Sequence, residues 1–144
     1  STHNVTLFPY TTLFRSPEPA FRAHASSPHL PGDAGRVLNY LEMHLARRPD
    51  DLKGHTLRVM LARETGDADA IYGALVDLFI ALAERGSGLK STLLSRTVLQ
   101  LGQPQRLFLA RHLASGVRAE QSIQPPARRS VLTRGLVGTV SLAP

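Results

Sequence analysis

The chain has 144 residues, 42% of them apolar, and carries 17 Lys and Arg against 11 Asp and Glu, a formal charge of +6. That size and apolar share fit one ordinary globular domain. There is no cysteine, which excludes disulfides and thiolate metal sites and agrees with a reducing, cytoplasmic setting. No apolar run reaches the ~18 residues of a membrane-spanning helix.

Residues 1–31 have net charge +1, residues 32–116 have +2 and residues 117–144 have +3. The excess therefore sits in the tail. A dedicated nucleic-acid binder usually carries a basic stripe on its folded face, so nucleic acid is the less favoured partner. The start lacks a basic region followed by an apolar core and does not read as a signal peptide.

The segment Thr6-Leu7-Phe8-Pro9-Tyr10-Thr11-Thr12-Leu13-Phe14-Arg15-Ser16 resembles the conceptual translation of a widely used short-read sequencing adapter. Residues 1–16 are accordingly set aside from fold reasoning as a non-native scar, and the native chain is expected to extend upstream. A Thr/Phe-rich edge strand is the alternative. Pro17, Pro19, Pro28 and Pro31 then break up residues 17–31, which read as a linker because proline removes backbone donors and biases its predecessor away from helix. His24 and His29 within it lack the further ligands a metal needs.

From residue 32 onward the chain is punctuated regularly. Gly32-Asp33-Ala34 recurs as Gly66-Asp67-Ala68 after 34 residues, and Gly102-Gln103-Pro104 follows after 36 more. A first helix is expected over Ala34–Arg47, capped by Asp33, with Val37, Leu38, Leu41 and Leu45 on one face and Pro49 as its stop. A second is expected to start after Asp50 or Asp51 and to close at Gly66, presenting Leu57, Met60 and Leu61. Gly54 inside it costs ~1 kcal/mol relative to Ala or marks a close-packing point. The third, Ala68–Glu84, should be the most buried. Its stripe of Ile71, Leu75, Leu78, Phe79 and Leu82 is broad, and Asp77 interrupts its apolar run. A fourth spans Leu89–Leu101 with Leu93, Leu94, Val98 and Leu101 inward. A fifth begins near Pro104, carries Leu107, Phe108, Leu109 and Leu113, and stops at Gly116. Short connections make neighbouring helices antiparallel. The expected fold is all-α: five helices paired into hairpins and stacked as a short solenoid, with irregular terminal segments.

Paired helices at a 34-residue period match the spacing of tetratricopeptide repeats. Residues 32–116 resemble that family over about two and a half repeats. Pro49 takes the family's proline near a repeat end. Val37 and Leu41, then Ile71 and Leu75, take positions of the second helix, and Leu94, Ser95 and Val98 those of the first. The chain departs from the pattern at His55 and Arg58, where the family has large apolar residues, and at His44 and Leu78, where it has small ones. Gly86-Ser87-Gly88 absorbs the late third mark.

The resemblance implies a non-catalytic protein–protein interaction scaffold with a concave groove for an extended peptide. Its lining would be Lys53, Thr56, Met60 and Arg63 from one helix, and Leu89, Thr92, Arg96 and Leu99 from the next. Lys53, Arg63 and Arg96 would suit acidic groups or a terminal carboxylate through charge-assisted hydrogen bonds; solvated surface charge is the competing explanation. With fewer than the ~3 repeats usually needed, borrowing of upstream repeats or self-association is expected. The alternatives are an accessory repeat domain of a larger enzyme and a weak nucleic-acid binder acting through the tail.

No catalytic constellation, cofactor motif or metal set emerges. Lys90-Ser91-Thr92 after Gly86-Ser87-Gly88 resembles a phosphate loop, but the glycine spacing and the preceding strand are missing. His44, His55 and His112 share no pairing at helical spacing. Asp67 and Asp69 flank a helix start, where capping explains them. In the tail, Val131-Leu132, Leu136-Val137, Val140 and Leu142 suggest a short strand or strand pair, or a disordered end. Its arginines lack the interleaved aromatics of a nucleic-acid surface.

Overall fold

A computed structural model describes residues 31–134. The adapter-like segment, the linker through residue 30 with His24 and His29, and residues 135–144 with most of the expected strand pair lie outside the described residues. Among the described residues there are five α-helices and no strand: α1 Pro31–Arg47, α2 Leu52–Thr65, α3 Ala68–Leu82, α4 Ser87–Thr97, extended by a 3-10 turn Val98–Gln100, and α5 Gln103–Arg111. The fold is all-α, as expected.

Local chemistry accounts for most boundaries. The Asp51 carboxylate accepts from the Gly54 amide at 3.0 Å and opens α2. At the other end Gly66, with φ of 72°, turns left-handed and returns its amide to the Arg63 carbonyl, a conformation that glycine adopts without a Cβ penalty. Asp67 caps α3 by accepting from the Asp69 and Ala70 amides. Several expected bounds shift, among them the start of α4 at Ser87 and the end of α5 at Arg111, well before Gly116. Helix α1 begins a turn early, at Pro31, because proline's missing amide is harmless in a first turn; Asp33 sits inside that turn and pairs with Arg36 at 3.1 Å rather than capping. Helix α3 ends at Leu82, where Ala83 takes φ of 55°, before Gly86 and Gly88 are reached.

The helices run alternately up and down. Helix α2 packs against α1 on one side and α3 on the other, and α4 and α5 continue the stack against α3. Gln105 Nε2, in the first turn of α5, donates to Asp69 Oδ1 in the first turn of α3 at 3.3 Å. Gln100 Nε2, just past α4, donates to the Arg63 carbonyl near the end of α2 at 3.0 Å. Like ends therefore meet: the first turns of α3 and α5, and the C-terminal ends of α2 and α4.

Helix α3 is the axis of the core. Every residue from Ala70 to Phe79 is buried, and the core cluster gathers Leu38 from α1, Val59 and Ala62 from α2, Leu93 and Leu94 from α4, and Phe108 and Leu109 from α5 around it. The inward face of α2 differs from expectation. Val59, Ala62, His55 and Arg58 are buried, while Leu57, Met60 and Leu61 are only partly covered. Gly54 is a close-packing point, since a Cβ there would lie 2.8 Å from the Asp51 carboxylate and 3.1 Å from Leu45. On α5, Leu107 is exposed while Phe108 and Leu109 point inward.

Beyond α5 the chain turns at Gly116 and runs back across the helices as an irregular strap, residues 117–134. Val117, Ile123 and Ala127 enter the core. The Tyr72 hydroxyl donates to the Pro125 carbonyl at 2.8 Å, and burial pushes that phenol's pKa up. Val131 and Leu132 form no strand, because their amides are spent on the carboxylate of Asp77.

Candidate functional site

Two faces of α2 carry the polar chemistry. The groove residues Lys53, Thr56, Met60 and Arg63 recur at helical spacing along one side. Arg58 stands roughly 140–160° around the helix from each of them, so it looks away from that side.

On the groove side Lys53 and Arg63 are exposed, Met60 is partly covered, and Thr92 and Arg96 on α4 are half-buried. Arg63 and Arg96 both stand in the last turns of their helices. Because the C-terminal ends of α2 and α4 meet, these two cations share one end, and Lys53 lies about 15 Å away along α2. Thr56 does not belong to this surface. It is buried, and its hydroxyl donates to the Leu52 carbonyl at 3.0 Å, a bond back to its own helix that leaves no free donor. Leu89 is partly covered, while Leu99 is 91% exposed.

On the opposite side lies a polar centre inside the protein. Arg58 and Asp77 are both fully buried and joined at 2.6 Å. The second amino group of Arg58 donates to the Arg129 carbonyl at 2.7 Å and approaches Glu42 at 3.4 Å; its Nε has no partner. Asp77 accepts three more hydrogen bonds, all from the strap: Ser130 Oγ at 2.6 Å, the Val131 amide at 2.8 Å and the Leu132 amide at 3.1 Å. The Arg129 guanidinium in turn meets Glu42 at 2.8 Å and Asp67 at 3.6 Å. A buried charge is tolerated when it is paired and its remaining hydrogen-bonding capacity is filled, and Asp77 meets both conditions.

Of this centre, the sequence offered two signals. Asp77 is the one carboxylate inside the apolar run of α3, and Arg58 occupies a position where the repeat family is apolar. Each is the partner that makes the other tolerable. The strap's contribution carried no local signal, since Ser130 is 53 residues from Asp77.

The other singled-out residues serve the scaffold. His55 is buried, its Nε2 lies 2.9 Å from the Pro49 carbonyl, and its Nδ1 has no partner; burial lowers its pKa. His44 lies 2.8 Å from Asp51 and stacks on Tyr40. Burial opposes ionisation of Asp51, but the Gly54 amide and His44 together hold its pKa below the ordinary carboxylate value. His112 Nδ1 sits 2.7 Å from the Phe108 carbonyl. Lys90 is not part of a phosphate loop. It is buried, its ammonium holds the carbonyls of Ala83 and Leu113 over the Phe79 ring, and burial lowers its pKa. Among the described residues no group of three or more His, Cys, Asp or Glu could hold a metal ion, and no helix is long and apolar enough to cross a membrane.

No protein-family model, curated protein or solved structure matches this chain.

Proposed function

We propose that the chain is a non-catalytic, tetratricopeptide-like interaction scaffold that holds an acidic peptide segment along the side of α2 and α4. The observation that carries this reading is the like-end contact between α2 and α4 through Gln100 and the Arg63 carbonyl. Alternate helices with like ends together are what a stack of hairpins produces. Lys53, Met60, Arg63, Thr92 and Arg96 supply a part-apolar surface with cations at both ends; Thr56 is withdrawn from it. Arg63 and Arg96 also sit where a helix dipole favours positive charge, so their position alone does not demand a ligand.

A selection from a random library of acidic heptapeptides tests the reading. The native chain should enrich acidic sequences, and the triple variant Lys53→Glu, Arg63→Glu, Arg96→Glu should not, with helical circular dichroism unchanged. Enrichment of the same sequences by both proteins would remove the groove assignment.

Nucleic acid is the weaker reading. Two of the tail's four arginines face carboxylates, Arg129 at Glu42 and Asp67 and Arg134 at Glu120, which reduces the charge available for phosphate.

A further inference from the structure

The strap is held less like a packed loop than like a bound peptide. Its seat reads backbone at three positions: Arg58 takes the carbonyl of residue 129, and Asp77 takes the amides of residues 131 and 132. It also reads two side chains, the Ser130 hydroxyl by Asp77 and the Arg129 guanidinium by Glu42 and Asp67. Gly73 provides the room. A Cβ at that position would stand 2.8 Å from the backbone carbon of Arg129, closer than real contacts allow. The segment is turned rather than extended, since the Ser130 amide returns to the Ala127 carbonyl at 3.1 Å, and a seat that pairs main chain and selects among side chains is what peptide recognition needs.

We propose that this cleft over α3, on the side of α2 away from the groove, is a second peptide-binding site, occupied in cis by residues 127–133. Its ligands are segments that turn at an arginine and follow it with serine or threonine and then aliphatic residues. The strap acts as the resident competitor. Tethered to the same chain, it holds the seat at a high effective concentration, so a free segment gains access only when the strap is weakened. This site is separate from the groove of α2 and α4, and neither reading depends on the other.

The test uses the full chain and a labelled synthetic peptide with the sequence of residues 126–134. Ser130→Asp in the protein sets a carboxylate against Asp77 and should expel the strap. The expected result is binding of the wild-type peptide at least about tenfold tighter than by the native chain, which follows from loss of the tethered competitor. Adding Gly73→Ala should abolish that gain by filling the space the peptide backbone needs. A folded Ser130→Asp chain that binds no better than the native one would overturn the proposal, as would undiminished binding with Gly73→Ala present. If Ser130→Asp does not fold, Arg129→Ala, which removes the Glu42 and Asp67 contacts but keeps those of Asp77, should show the same gain. Failure of both variants to fold would make the strap an inseparable part of the core and would equally overturn the proposal.

Discussion

Arg58 and Asp77 exchange the hydration of two charges for one another and for the strap. Isolated buried ions cost several kcal/mol each, and geometry must recover this. Truncating one partner leaves the other charged and alone. Arg58→Met or Asp77→Leu should therefore each lower unfolding stability by about 3–5 kcal/mol, while the double variant should lose less than the sum of the two. Urea denaturation of the four proteins measures this, and strict additivity would mean that the pair is not coupled.

His55 gives a residue-scale prediction with a definite sign. Burial lowers its folded pKa, so below the unfolded value of about 6.5 the unfolded chain takes up a proton that the folded chain refuses. Its stabilising contribution is full above that pH and is lost as pH falls towards the folded value. Between about pH 7.5 and about pH 5.5, the native chain should lose more stability than His55→Gln does. Equal losses would show that the imidazole protonates within the fold.

At the scale of the helix, Gly66-Asp67, Asp51 and Pro49 made the hairpins legible, because a left-handed cap and a carboxylate at free amides are local requirements, whereas Gly32-Asp33 lies inside α1 and marks no junction. Asp51, Gly66 and Asp67 do what their identities suggest. The inward face of α2 was not legible. Leu57 and Leu61 obey the apolar period, yet Arg58 and His55 are the residues buried, since what faces them is a paired carboxylate on α3 and a loop carbonyl. Periodicity registers hydrophobicity and cannot see a distant charge that makes burial of an arginine possible. The strap escaped for the same reason: its anchors to Asp77, Glu42 and Tyr72 join residues far apart in sequence. Of the groove residues, Thr56 misled because a threonine that bonds to its own helix looks the same in sequence as one that faces solvent.

Helix ends supply a second test. Ala83 stands at φ of 55° and ψ of −126°, a region that costs a residue with a Cβ about 1–3 kcal/mol. Ala83→Gly should raise the thermal midpoint. Gly66→Ala, at φ of 72° with open space around it, should lower stability by about 1 kcal/mol through backbone strain alone. Thermal unfolding of both variants reads the two signs, and a change in the same direction for both would refute the strain argument.

For the whole molecule, the charge distribution separates two surfaces. Acidic side chains Glu42, Asp67 and Asp77 converge beneath the strap, while Lys53, Arg63 and Arg96 lie along the side of α2 and α4. The strap seals one side of the short stack, and Leu99 and Arg63 remain open on the other. The most direct measurement is hydrogen exchange of the full chain with and without a selected acidic heptapeptide at saturation. Slowed exchange confined to residues 53–63 and 89–99, with the strap unchanged, is the expected outcome. Slowed exchange over residues 117–134 and α3 with none along α2 and α4, or no slowing anywhere, would contradict peptide binding in the groove.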